Sequence, residues 1–293
     1  FAAVKPSQSH SQSHSHTPPP PAADLRVDVE AVLRSRAPSV ARRLPGFIIR
    51  SLEKFVCQKQ MNEMLEATAG LRDADFCAGI LERLGVTYTI IGAENLPPMS
   101  DRRVTLASNH PLGGLDGIIL IDMVTRLYGP GARFIVNDLL MALKPLHGVF
   151  LPINKHGAQS RAAAAAVDAA FADNNPVLIF PAGLCSRRGA DGVVRDLRWN
   201  KMFVTKSIES GRTVIPIRFG GCNSGFFYNF AKWRERLGIK FNIEMIRLPK
   251  ELFRAAGSSF TITIGKPIPP SSLQGGAAAT ACAQRIKETV YSL

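Results

Sequence analysis

Beyond residue 23 the chain holds three histidines, His110, His147 and His156, and only His110 has a carboxylate at turn-like spacing. Five residues separate it from Asp116. An imidazole titrates near neutral pH and serves as a general base. A carboxylate that folds back onto it can orient the ring, although Asp116 could equally cap the helix that follows. Asn109 precedes the histidine, and Gly113 and Gly114 let the turn close and let a substrate approach the backbone. Other chemistries lack their residues. There is no Gly-x-Ser-x-Gly elbow and no Walker loop, and residues 113–117 lack the dinucleotide-binding spacing. The one His-x-x-x-His pair, His10 with His14, lies in the N-terminal tail, and no carboxylate cluster stands out, so a metal hydrolase is not expected. Cys185 has no histidine beside it in sequence. A base without a protein nucleophile points to direct transfer. It takes a proton from a substrate hydroxyl, and the oxygen then attacks a bound acyl group.

Such a pair must be held at the end of a strand. Residues 104–108 (VTLAS) read as a short buried strand and residues 118–127 as an apolar helix, with the polar, glycine-rich turn between them. Reactive groups of open α/β sheets sit at this kind of turn. Further strands are read at 86–91, 132–137, 148–153, 177–180, 213–219, 241–248 and 260–265. Helices are read at 158–173, 196–211 and 226–237, with a last one running to Leu293. The alternation predicts an α/β domain, a largely parallel central sheet flanked by helices, over residues 67–293.

Residues 1–23 are low in complexity, with Gln-Ser-His repeats and a proline run, and read as a disordered tail. Residues 24–66 read as a basic amphipathic helical arm, broken near Pro38 and Pro45. Arg34, Arg36, Arg42, Arg43, Arg50, Lys54 and Lys59 face a single acidic residue, Glu53. Ile48, Ile49, Leu52, Phe55 and Val56 share one helical face, whereas Cys57, Met61, Met64 and Leu65 fall on another. The first half of the arm is expected to lie on an anionic membrane, where each basic residue contributes about 1 kcal/mol, and the second to pack on the domain. The plainer alternative is a helix packed wholly on its own domain.

The 293 residues, 46% of them hydrophobic, suffice for one large core. The formal charge of +13 suits anionic lipid or an acidic carrier protein, and no zinc-finger spacing or RNA-binding aromatic signature calls for nucleic acid. The five scattered cysteines argue against a disulfide framework and for a reducing compartment. No apolar run reaches the ~18 residues of a spanning helix. The chain opens on Phe1 rather than methionine, as a processed product would, which leaves room for a removed targeting segment.

Asn109-His110 with Asp116 resembles the first block of the glycerolipid (lysophosphatidic acid) acyltransferase family. Residues 148–153 (GVFLPI) are similar to its second block, and Phe180-Pro181-Ala182-Gly183 stands where the family has Phe-Pro-Glu-Gly-Thr-Arg. Residues 214–217 (VIPI) resemble the fourth. The resemblance implies an acyl thioester donor, acyl carrier protein or acyl-CoA, and a His base paired with Asp. It also implies a lyso-lipid acceptor, a membrane-associated enzyme and no cofactor or metal. Two departures stand out. The family has four residues between His and Asp. Its glutamate is Ala182 and its phosphate-binding arginine position is Cys185, with Ser186, Arg187 and Arg188 following, which counts against a lysophosphatidate acceptor. The wording SNHPLGGLDG with FPAGLCSRR, together with DLRWNKMF and ITIGKPI, resembles the bacterial hemolysin-like subgroup that acylates lyso-ornithine or lyso-glycine lipids. There the acceptor is the hydroxyl of a 3-hydroxyacyl chain amide-linked to an amino acid.

On this reading His110 and Asp116 are catalytic. Asn109, Gly113, Gly114, Phe180, Pro181, Gly183, Ser186, Arg187 and Arg188 line the substrate site. Arginine grips carboxylate or phosphate bidentately, and the backbone near Gly183 can donate to an oxyanion. Trp199, Lys201, Lys155 and His156 read as packing or surface. The expected location is peripheral, on the cytoplasmic face of a membrane. The alternatives are a lysophosphatidic acid acyltransferase and a catalytically silent lipid-binding protein.

Overall fold

The alternation read from the sequence is realised in the computed structural model, which describes residues 3–4, 26–36, 38–153, 158–239 and 242–293. In chain order the elements begin with β1 (Ala3–Val4), α1 (Val29–Arg36), α2 (Pro38–Ala41), α3 (Gly46–Phe55), α4 (Gln58–Ala67) and α5 (Asp73–Leu84). Then come β2 (Thr87–Ile91), β3 (Val104–Ser108), α6 (Leu115–Tyr128), β4 (Arg133–Asn137), β5 (Phe150–Ile153), α7 (Ala158–Ala172) and β6 (Val177–Ile179). A small hairpin of β7 (Arg187–Arg188) and β8 (Val194–Arg195) precedes α8 (Met202–Ser210), β9 (Thr213–Phe219) and α9 (Gly225–Arg236). The chain ends with α10 (Leu248–Arg254), β10 (Ser259–Ile264) and α11 (Ala279–Ser292).

The sheet order is β1-β2-β10-β9-β3-β6-β4-β5. From β9 to β5 all neighbours are parallel, while β10 is antiparallel to β9 and parallel to β2. β3 therefore lies inside the sheet, and all five of its residues are buried. That explains why it carries no charged residue, since strands covered on both faces lose the usual alternation with solvent-facing positions. On one face Phe76, Ile80, Leu81, Ile119 and Leu120 of α5 and α6 pack on Leu106, Ile215 and Ile217. On the other, Phe171, Phe203, Val204, Ala283 and Ile286 of α7, α8 and α11 pack on Ala107, Ile179 and Val214.

Two polar groups are sealed into this second layer. Arg212 is fully buried, and its guanidinium donates to the carbonyls of Ala170 (3.0 Å), Phe171 (2.7 Å), Asn175 (2.8 Å) and Val104 (3.1 Å), with Asp173 as a further acceptor. It thus satisfies the open carbonyls at the end of α7. Burial lowers its pKa to about 10, which still leaves it charged near neutrality. Ser207 of α8 donates from Oγ to Thr105 Oγ1 at 2.9 Å, and both residues are buried. Ser207→Ala is expected to cost about 1–3 kcal/mol, because Thr105 then keeps a buried hydroxyl with one partner fewer. Urea unfolding at unchanged m would register it.

Three sequence expectations need correction. The apolar stripe that rotates near Cys57 marks a break, not a continuous helix. Cys57 takes a left-handed φ of 55° between α3 and α4, at a cost of about 1–2 kcal/mol for a residue with a Cβ. Met64 and Leu65 pack on the main core as expected. In the part of α3 expected on a membrane, Ile49 is buried, Phe47 is exposed and Phe55 meets Phe230 edge-on at 6.3 Å. Residues 196–201 belong to no helix or strand, and α8 begins only at Met202, because Asp196 and Trp199 are drawn under the site. The strand expected at 241–248 is a 3-10 turn, Ile243–Arg247, leading into α10. Its alternation misleads because Glu244 is buried and Ile246 is exposed. Of the tail expected to be disordered, only β1 is described, antiparallel to β2. The remainder of residues 1–23 lies outside the described residues.

Candidate active site

The turn after β3 closes around one carboxylate. His110 Nδ1 lies 2.9 Å from Asp116 Oδ2. The same oxygen accepts the amides of Leu112 (2.9 Å) and Gly113 (3.3 Å), and Oδ1 accepts that of Gly117 (3.0 Å). The five-residue spacing is thus taken up by winding residues 111–115 over the carboxylate, and the dyad is kept. Gly113 makes this possible with a φ of 77°, and a Cβ there would lie 2.7 Å from Leu248. Asp116 is fully buried in the first turn of α6, where the helix N-terminus favours negative charge. Burial raises its pKa, but the His110 charge and hydrogen bond and the Leu112 and Gly117 amides outweigh that, leaving it below 3.8. An ionised carboxylate only accepts, so Nδ1 carries the proton and Nε2 offers its lone pair.

This shift makes a stability prediction. A carboxylate with a depressed folded pKa stabilises the fold above its unfolded value and ceases to as pH falls through its folded value. Wild type should therefore exceed Asp116→Asn in stability above about pH 5, with the gap narrowing on acidification below the ordinary carboxylate range. Paired thermal melts from pH 7 to 3 check it, and a constant gap would contradict it.

The imidazole is held from below. Its ring stacks on Phe180 with centroids 3.9 Å apart, and Phe180 stands edge-on to Phe134 at 5.2 Å. The His110 amide donates to Asp196 Oδ1 (3.1 Å), and its carbonyl accepts from the Ser186 amide (2.7 Å). Asp196 also accepts from Ser186 Oγ (2.6 Å) and Trp199 Nε1 (2.8 Å), while its own amide donates to the Tyr291 hydroxyl (2.7 Å). Asn109 bridges to β9, accepting the Phe219 amide on Oδ1 (2.6 Å) and donating from Nδ2 to the Phe219 carbonyl (2.9 Å).

Several residues expected to touch substrate are therefore committed elsewhere. Asn109 and Ser186 are buried and fully engaged with the protein. The Gly183 amide donates to the Phe180 carbonyl (3.0 Å), and the Pro181 carbonyl accepts from Asn200 (2.8 Å), which fixes the third-block turn. Arg187 donates to Glu244 Oε1 (2.7 Å) and to the Cys185 carbonyl (2.9 Å). Glu244, wholly buried, also takes Arg234 (3.1 Å), so Arg187 is locked in a buried ion cluster. Arg188 differs. It lies over Tyr228 at 5.0 Å and, among the described residues, has no ion pair. Gly114 is exposed, with open space beside it.

The Cys185 thiol is buried and its pKa is pushed up to about 11 by burial, which removes it as a thiolate nucleophile at neutral pH. Trp199 is buried packing, and Lys201 is exposed. Lys155 and His156 lie outside the described residues. Sequence reasoning gave no role to Asp196, Tyr291, Glu244 or Arg218. Arg218 follows the residue paired with Ser108, lies over Tyr291 at 4.4 Å and has a buried Nη1 with no hydrogen-bond partner among the described residues. The only signal for Asp196 was its place in the DLRWN segment.

A sequence model described as Acyltransferase matches residues 31–293. A curated lyso-glycine lipid O-acyltransferase of Bacteroides thetaiotaomicron is 41% identical over 267 residues, covering 91% of this chain and 97% of the relative. Another, from Phocaeicola vulgatus, is 42% identical over 267 residues, covering 91% and 95%. Among solved structures, the LPA acyltransferase PlsC of Thermotoga maritima aligns with a TM-score of 0.42 at 15% identity, covering 84% of this chain and 92% of that one. Matched by the family's pattern from residue 31 to its last residue, and carrying a His-Asp dyad at the end of a central strand, the chain belongs to the acyltransferase family.

Proposed function

We propose that this acyltransferase moves a fatty acyl group from a thioester to the hydroxyl of a lyso-aminolipid, a glycine lipid first and an ornithine lipid next. His110 Nε2 takes the proton of the acceptor 3-hydroxyl, and the oxygen attacks the thioester carbonyl carbon. The C–S bond breaks, and the thiolate of acyl carrier protein or coenzyme A leaves with the proton from the imidazolium. Neither a metal nor a covalent acyl-enzyme is needed, and no cofactor beyond the thioester co-substrate. The one observation that carries the reading is the Nδ1-bound carboxylate, which leaves Nε2 as the base in a chain 41% identical to a lyso-glycine lipid O-acyltransferase.

Arg188 is the cation we assign to the acceptor carboxylate, since Arg187 is held by Glu244. The enzyme works at an anionic membrane surface, on the cytoplasmic face where the thioesters are. No helix among the described residues is long and apolar enough to cross a membrane. The test is acyl transfer from labelled acyl carrier protein and acyl-CoA to a panel of lyso-lipids. A product from lyso-glycine or lyso-ornithine lipid is expected, and product from lysophosphatidate alone would overturn the acceptor assignment.

A further inference from the structure

One helix in this molecule has two apolar faces. Phe227, Tyr228 and Ala231 of α9 are buried, with Arg234 beside them in its ion cluster. On the adjoining side Phe226, Phe230, Trp233 and Leu237 recur at helical spacing, and three of them are exposed: Phe226 and Trp233 at 53% and Leu237 at 56%. Their rings form a series. Phe226 stacks with Phe230 at 6.0 Å, and Phe230 with Trp233 at 6.0 Å. Phe55 of α3 joins at Phe230, and the Arg247 guanidinium sits between Phe55 (4.5 Å) and Phe226 (4.6 Å). Phe47, 64% exposed, and Ile246, 48% exposed, extend the same two segments. Single exposed apolar residues need no explanation, whereas a contiguous aromatic surface does.

The geometry points to an anionic bilayer as the occupant of this face, with the α9 aromatics inserted and α3 lying alongside. This rests on, and goes beyond, the proposed membrane reading, for which the sequence offered only the first half of the arm as the contact. The charges around the rings favour lipid. Arg42, Arg43, Arg50 and Lys54 on the α3 side and Arg236, Lys250 and Arg254 on the α9 and α10 side are exposed. Trp and Phe at the headgroup level with Lys and Arg around them are the pattern of an interfacial helix. The face also reaches the chemistry. The segment that offers Ile246 and Arg247 continues into Leu248, which packs on Gly113 of the catalytic turn, and the start of α9 lies against Arg188. A lyso-lipid with its chain in the bilayer would meet His110 from this side.

The chain has two tryptophans, Trp199 buried and Trp233 exposed, so emission reports the face directly. The experiment titrates the full chain with phosphatidylglycerol–phosphatidylcholine vesicles containing lipid brominated on its acyl chains. Quenching of the Trp233 emission is expected, with Trp233→Phe abolishing the quenching. Phe226→Ser/Trp233→Ser/Leu237→Ser, all at exposed positions, should weaken vesicle partitioning at least tenfold. Its transfer to a short-chain acceptor dispersed as monomers should stay within twofold of wild type. If wild type binds vesicles unquenched, or the triple variant binds like wild type while Arg42→Glu/Arg43→Glu/Arg50→Glu does not, the α9 face is wrong and the arm alone holds the membrane. A wild-type chain that stays in the supernatant overturns both. A dimer dissolved by the triple variant, without vesicle binding, would assign the face to a second copy and overturn the proposal.

Discussion

His110→Ala is expected to lower the rate of acyl transfer by about 10²–10⁴-fold, the range spanned by a positioned general base. The KM for both substrates should change little, because the ring meets the reacting proton rather than the acyl chain. The turn should survive the change. Asp116 keeps three backbone amides at 2.9–3.3 Å from Leu112, Gly113 and Gly117, so the winding that builds the site does not depend on the imidazole. Circular dichroism and vesicle flotation should match wild type. Asp116→Asn sharpens the prediction. An asparagine keeps its oxygen toward Nδ1 and the Leu112 and Gly113 amides, but its NH₂ then meets the Gly117 amide and it brings no negative charge to stabilise the imidazolium that forms as Nε2 takes the proton. A loss of at least about 100-fold is expected from that alone. Equal rates for wild type and His110→Ala would remove His110 from the mechanism and favour a protein that binds lipid without transforming it.

The dyad was legible because it is local. His110 and Asp116 lie six positions apart, and the contact closes within one turn between a strand and a helix whose apolar patterns are plain. β3 and β9 read well for a related reason, since being covered on both faces leaves short, mostly apolar segments rich in β-branched residues. What did not read were pairings between distant residues. Arg187 looks free in sequence because its partner Glu244 is 57 positions away. Glu244 in turn made 241–248 resemble a half-exposed strand, since a buried glutamate looks like a solvent position until the two arginines that neutralise it are known. The outer aromatics of α9 drew no reading beyond a helix at 226–237, because composition cannot tell which of two apolar faces meets the core. Asp196 failed for the same reason as Arg187, with its bond to the His110 amide spanning 86 positions.

Asp196 is where that distance matters most. Its two carboxylate oxygens take the His110 amide, the Ser186 hydroxyl and the Trp199 indole N–H, all in a setting where the residue itself is buried. Its amide is tied to Tyr291 of α11 and its carbonyl accepts Lys287 Nζ at 2.8 Å, so it joins the catalytic turn, the third block and the last helix. Asp196→Ala leaves three donors without an acceptor and is expected to cost about 3–5 kcal/mol. That corresponds to a fall in Tm on the order of 10 °C for a domain of this size. Asp196→Asn keeps one acceptor oxygen for His110 and Ser186 but turns an NH₂ toward the indole, so it should recover part of the stability and part of the rate. As a positioning residue Asp196 should act on kcat more than on KM, because the His110 backbone shifts relative to a substrate still held by its own contacts. Steady-state kinetics beside thermal melts separates this from simple loss of fold. A folded Asp196→Asn enzyme with wild-type kcat would show that the imidazole holds its place on Asp116 and Phe180 alone.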